Sequence, residues 1–133
     1  MYIPPGYGTI VPYIFVDKPL ELLTFLQNTF DAEELGRSNF PNGEIANLRV
    51  RIGTTSFMVG AAAQHVPHRP GVYKLYVEDA DQSYARALEN GATGEFPPTP
   101  MWYGDKQGGV TDPCGNTWFI CTRNVHQPYD PVA

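Results

Sequence analysis

Cysteine is scarce in this chain. Only Cys114 and Cys121 occur among 133 residues, the first in an Asp-Pro-Cys-Gly turn and the second on the strand expected to follow it. Two positions along one extended segment are poorly placed to bridge, so a disulfide scaffold is excluded and both thiols are expected to be unbridged. No His or Arg stands beside Cys114 in sequence to lower its pKa and make it a nucleophile. Basic residues are also few: 9 Lys and Arg against 14 Asp and Glu leave a net charge of −5. General nucleic-acid binding needs a basic face and is therefore not expected. No run approaches the roughly 18 apolar residues of a membrane span. The opening stretch MYIPPGYGTIVPY has no charged start ahead of an apolar core, so no secretory leader is read there and the cytoplasm is the expected compartment. Of the three histidines, His65 and His68 flank Pro67 in a segment that cannot be helix interior, and His126 lies in a polar tail. All three read as solvated.

Apolar residues are not scarce. At 42% hydrophobic and 13% aromatic, the chain can bury a core without cross-links, and its length suits one domain over 1–133. An internal repeat organises it. At an offset of 62, Asp17 falls on Asp79, Leu26 on Leu88, Gly53 on Gly115 and Phe57 on Phe119. Repeat one covers about 8–60, a linker 61–70, repeat two about 71–123, and a polar, proline-rich tail 124–133.

Local signals fill in each half. Residues 9–16 are β-branched and aromatic, a strand, after which Asp17 is expected to cap a helix carrying Leu22, Phe25, Leu26 and Phe30 on one face. Residues 32–38 read as a short strand, Pro41-Asn42-Gly43 as a turn, and 44–52 as a half-buried strand with Ala46, Leu48, Val50 and Ile52 alternating against Asn47, Arg49 and Arg51. Strand 55–60 closes the half. The second half repeats the order: strand 72–78, a helix capped by Asp79 and ended by Gly91, a strand near 93–96, a stiff loop through Pro97, Pro98 and Pro100, a strand near 107–111 and a last strand 117–122. Each half is thus βαβββ and the class is α+β. Two small sheets that each bury one face on a helix need cover for the other. Pairing the halves would curve eight strands into a cup with the helices outside.

Three segments carry a resemblance. Gly104-Asp105-Lys106 through Val110-Thr111-Asp112-Pro113-Cys114-Gly115-Asn116-Thr117-Trp118 resembles the closing segment of the vicinal oxygen chelate superfamily. Tyr76-Val77-Glu78-Asp79-Ala80-Asp81 with Gly91-Ala92, and Phe15-Val16-Asp17 with the stretch from Phe30 to Gly36, are similar to its repeat signals. That superfamily includes glyoxalases, extradiol dioxygenases and the fosfomycin- and bleomycin-resistance proteins. The Trp102-Tyr103-Gly104-Asp105 loop and the opening Thr9–Tyr13 look most like a PhnB-like, glyoxalase-related branch.

The resemblance also implies where metal-dependent members carry ligands: near the start of the first strand of each half, and on its last strand. Those positions hold Ile10 and Val72, and Phe57 (or its neighbour Met58) and Phe119. None offers a hard oxygen or an imidazole, and a Met thioether is soft. No metal and no cofactor is expected, and an enzyme is the less favoured class.

Strand alternation puts Pro12, Ile14, Lys74, Tyr76, Thr117 and Cys121 on the same inward side as these four, with Tyr13, Phe15, Leu75, Val77, Trp118 and Ile120 facing the helices. The expected ligand site is therefore Ile10, Ile14, Phe57, Val72, Lys74, Tyr76, Thr117 and Phe119, with Trp102 and Tyr103 as a stacking wall or lid. Its occupant would be a small aromatic or apolar molecule, plausibly an antibiotic sequestered as by a bleomycin-resistance protein. The acidic balance would favour a cation. Two alternatives stand beside this: a glyoxalase-like lyase or dioxygenase with atypical metal ligands, and a scaffold whose cup is filled by these side chains. In the family such cups are often completed by a second subunit, so a homodimer is expected, with the linker permitting exchange of strands or modules.

Overall fold

A computed structural model describes residues 2–129. The chain divides into two compact units between Gly71 and Val72. The first holds β1 (Tyr13–Val16), α1 (Pro19–Phe30), β2 (Glu33–Asn39), β3 (Ile45–Ile52) and β4 (Thr55–Ala61). The second holds β5 (Val72–Tyr76), α2 (Ala80–Glu89), β6 (Thr93–Pro100), β7 (Asp105–Thr111) and β8 (Thr117–Arg123). The sheet orders are β1-β4-β3-β2 and β5-β8-β7-β6, so each unit is βαβββ and the α+β class holds. In each sheet the first strand runs parallel to the last and the other pairs are antiparallel.

In the first unit Ile14, Val16, Leu48, Val50, Phe57 and Val59 are buried along one sheet face. Helix α1 packs on β1, β3 and β4 and brings Leu22, Phe25, Leu26 and Phe30 to the same core. In the second unit the corresponding face carries Trp118, Ile120 and Val110. Gly94 belongs to it too, since a Cβ there would meet the Tyr84 hydroxyl and Leu88 of α2.

The two units do not keep step at 62. Ile14 pairs with Val59 and Leu75 with Ile120; α1 begins at Pro19 and α2 at Ala80. Matching positions in β1 and β5, in the helix starts, and in β4 and β8 therefore lie 61 apart. The turns disguise this. The hairpin before β4 closes on Ile52 and Thr55, whereas the one before β8 closes on Thr111 and Thr117. A shift of one residue reverses which face a strand side chain takes. Accordingly, Ile14 and Phe57, expected inward, are core under α1, at 2% and 5% exposure. Tyr13 and Phe15, expected to face the helix, lie on the other face, stacked with ring centroids 4.4 Å apart. They press so close to Gly60 that a Cβ there would come within 2.8 Å of both rings.

Three further expectations change. The N-cap of α1 is Lys18, without a side-chain cap bond, because Pro19 takes the first helical position where its fixed φ and missing N–H cost nothing. Asp17 stands outside, its carboxylate 3.7 Å from His68 Nδ1. Asp79 does cap α2, accepting from the Gln82 N–H at 3.1 Å. Strand β1 starts at Tyr13, so Ile10 lies ahead of it, 87% exposed, and strand alternation does not reach it. Finally, Pro97, Pro98 and Pro100 lie within β6 rather than in a loop. β6 is an edge strand with an irregular register beside these prolines, a setting in which missing donors are tolerated.

Candidate functional site

The face of the second sheet away from α2 is built by alternation. Val72, Lys74 and Tyr76 of β5 lie beside Thr117, Phe119 and Cys121 of β8, and these beside Thr111, Gly109, Gln107 and Asp105 of β7. Gly109 lets Phe96 of β6 lie flat across the sheet, since a Cβ there would meet its ring at 2.6 Å. Phe96 in turn approaches Phe119, with centroids 5.9 Å apart. This end of the face is mainly apolar, although the Thr111 hydroxyl there donates to the Glu95 carboxylate at 2.7 Å.

The other end is organised by one carboxylate. Asp105 is 1% exposed, yet both its oxygens are engaged. Oδ2 accepts from the Tyr76 hydroxyl at 2.7 Å, the Lys74 ammonium at 3.0 Å and the Tyr129 hydroxyl at 3.3 Å. Oδ1 accepts from Arg123 Nη1 at 3.0 Å. A buried carboxylate persists only when paired and hydrogen-bonded, and here two cations and two phenols satisfy it. Burial would drive the Lys74 pKa down. Hydrogen bonds to Asp105 and Tyr129, together with the negative charge of Asp105, outweigh burial and raise it, so Lys74 is a cation at neutral pH. Burial pushes the Cys121 thiol up to about 11, against a smaller opposing effect of Lys74; its sulfur rests 3.3 Å from Gln107 Oε1. A neutral, buried thiol is a packing group rather than a nucleophile, and both cysteines are unbridged.

Aromatic rings enclose the ammonium. Lys74 Nζ lies 5.5, 5.0 and 5.1 Å from the ring centroids of Tyr76, Tyr103 and Tyr129, within range for cation–π attraction. Tyr103 donates to Gln107 at 3.2 Å and meets Trp102 edge-on at 5.5 Å. Trp102 itself is 94% exposed. With two cations to one carboxylate, the local charge is opposite in sign to that of the chain as a whole. The acidic composition therefore does not carry over to this face, and the expectation of a cationic ligand loses its basis.

Of the residues expected at a ligand site, Val72, Lys74, Tyr76, Thr117 and Phe119 share this face, and Tyr103 and Trp102 stand at its edge on the β6–β7 turn. Ile10, Ile14 and Phe57 belong to the first unit and are not on it. Asp105, Gln107, Arg123 and Tyr129 were not anticipated. Asp105 stands in the closing Gly104-to-Trp118 segment, but nothing in sequence marks it as the centre of a cluster. The Asp112 carboxylate of the same motif is structural: it accepts from the N–H groups of Cys114 and Asn116, the Asn116 amide and the Trp118 indole, at 2.8–3.1 Å.

A divalent metal does not suit these residues. Val72 and Phe119 have no donor, Asp105 is saturated, and no three His, Cys, Asp or Glu converge among the described residues. The first unit holds a separate open cleft of about 490 Å³ beside the start of α1, with Lys18, Arg37, Phe40 and Glu44 in its lining.

The chain matches the sequence model of the Glyoxalase/Bleomycin resistance protein/Dioxygenase superfamily over residues 7–120. It is 31% identical over 123 residues to an uncharacterized protein of Mycobacterium bovis, covering 82% of this chain and 79% of that one. Among solved structures it is similar to TioX from Micromonospora sp. ML1, with a TM-score of 0.73, 21% identity, and coverage of 89% of this chain and 99% of the other. It is also similar to a PhnB protein of Bacillus cereus described as a putative 3-demethylubiquinone-9 3-methyltransferase, with a TM-score of 0.66, 15% identity, and coverage of 86% and 99%. No described helix is long and apolar enough to cross a membrane.

Proposed function

Since the chain belongs to the Glyoxalase/Bleomycin resistance protein/Dioxygenase superfamily, we propose that it is one of the members that bind rather than transform: a metal-independent protein that sequesters a small aromatic or apolar molecule, of antibiotic type, on the open face of the second sheet. One observation carries this. Where the family resemblance implies metal ligands, this face presents Val72 and Phe119, and the neighbouring carboxylate is already saturated by Lys74, Arg123 and tyrosine hydroxyls. What the face does offer is a floor of Phe119 and Phe96, an exposed Trp102 at its rim, and a polar end built around Lys74. Burying a large apolar side chain under a ligand stabilises by about 1.5–3 kcal/mol, with roughly 0.5–1.5 more for good ring geometry. Two or three such contacts suffice for micromolar affinity.

The protein acts in this reading as a cytoplasmic homodimer. The unbridged cysteines suit a reducing compartment, and the exposure of Trp102 suits an interface.

A thermal-shift screen with flat aromatic antibiotics tests the binding. A ligand at 100 times its dissociation constant stabilises by about 2.7 kcal/mol. Trp102→Ala is expected to reduce the shift, since its exposed ring stands at the rim of the face and meets Tyr103 edge-on. Elemental analysis of the same preparation is the counter-test: one tightly held divalent metal per chain, with binding lost on its removal, would defeat the proposal.

A further inference from the structure

The face is already occupied at its polar end by an aromatic group that the chain itself supplies. After β8 the backbone leaves the sheet, held by the Asn124 N–H on the Gly104 carbonyl at 2.9 Å. Arg123 then clamps the following segment: Nη2 donates to the carbonyls of Gln127 and Pro128 at 2.7 and 3.0 Å, and Nε to Gln127 at 3.2 Å. This returns Tyr129 to the cluster. Its ring lies 4.8 Å from Arg123 Cζ and 5.1 Å from Lys74 Nζ. Its hydroxyl reaches Asp105 at 3.3 Å, the longest of that carboxylate's contacts. Tyr129 has no strand pairing and remains 46% exposed. Tyr76, by contrast, delivers a 2.7 Å bond from within a strand.

We propose that Tyr129 is a tethered ligand, and that the site's free ligand is a hydroxyaromatic molecule that displaces it. The inference rests on the binding reading above and adds the chemical class. The geometry dictates the class. Two cations close to one ring favour an electron-rich aromatic face. A buried carboxylate that can only accept asks the ligand for a hydroxyl donor, and a hydrogen bond to an ionised acceptor is stronger than one between neutral groups. A phenol meets both demands, and a phenol is what the tail presents. An incoming phenol therefore competes with a closed latch, and its apparent affinity is reduced by the fraction of time the latch is open.

The test is calorimetric titration of the full chain with 2-naphthol and with 2-methoxynaphthalene, which keeps the ring and lacks the donor. Tyr129→Ala is expected to bind 2-naphthol about tenfold more tightly than the unaltered protein, as for a latch open about one-tenth of the time. Tyr129→Phe keeps the occupying ring and is expected to gain much less. 2-Methoxynaphthalene is expected to bind more weakly than 2-naphthol to every form. Equal or weaker 2-naphthol binding by Tyr129→Ala overturns the inference, because the residue is then a wall of the site and not its occupant. Should 2-naphthol fail while another aromatic from the thermal-shift screen binds, the phenol class falls and the binding reading stands. Should nothing bind, both fall together.

Discussion

Asp105 shows how one side chain can set the character of a face. A carboxylate at 1% exposure is stable only because Lys74, Arg123 and Tyr76 meet it within 3.0 Å. Removing the charge leaves two cations facing each other. Asp105→Asn is accordingly expected to lower stability by about 2–3 kcal/mol. That is less than the roughly 3–5 of a fully buried broken pair, since both cations retain some contact with water. The shift in urea midpoint measures it. Asp81→Asn, which breaks the exposed pair with Lys106, is the control, and it is expected to cost under about 1 kcal/mol. The same residue marks how far the site was readable from sequence. Lys74, Tyr76, Thr117 and Phe119 could be placed on one face because strand alternation is local. Asp105, Arg123 and Tyr129 join them through pairings across three strands and a returning tail, and no local signal encodes those.

At the scale of elements, the two helices begin differently although their sequences look alike. Asp79 accepts the Gln82 N–H and caps α2, whereas Pro19 moves the cap of α1 onto Lys18 and leaves Asp17 outside. Asp79→Ala is therefore expected to destabilise by about 1 kcal/mol. Asp17→Ala is expected to cost no more than a few tenths, as for an exposed ion-pair partner. Thermal unfolding of the two variants side by side would distinguish them. This single residue of slippage explains why the expected strand faces fail in the first unit and hold in the second. Turn, cap and glycine signals gave the order and number of elements in both. The pairs Asp17 with Asp79 and Gly53 with Gly115 stand 62 apart, while strands and helices match 61 apart. In the second unit Trp118 and Ile120 lie on the helix side as expected. In the first unit an offset of 62 sets Ile14 against Tyr76 and Phe57 against Phe119, whereas the strands match at 61, so Ile14 and Phe57 exchange faces with Tyr13 and Phe15. The prolines of β6 misled for a separate reason: their usual meaning is a loop, and only the edge position of the strand overrides it.

For the whole molecule, fold class and family followed from the repeat and from the closing motif, whose Asp112 proves to hold its turn and the Trp118 indole. The choice between binding and catalysis turns on what that fold has kept at a few positions, which is why the fold alone does not decide it. Association is the molecular property most open to measurement. Trp102, Ile10 and Val72 are 94%, 87% and 65% exposed, apolar side chains that the proposed second copy would cover. Light scattering is expected to give about twice the 14.8 kDa of one chain, and Trp102→Glu to shift the mass toward the single value. A mass of one chain for the unaltered protein would remove the homodimer from the proposal.

Three prolines in β6 also decide how such a pair can form. A strand at the margin of a sheet invites a foreign strand to continue the hydrogen-bond ladder, the contact that seeds fibres. Pro97, Pro98 and Pro100 withhold the amide hydrogens such an addition would need, and the irregular register at Phe96 breaks the straight line it would follow. Self-association through this margin is disfavoured, and the proposed pairing is expected to use the sheet's flat side or its opposite rim.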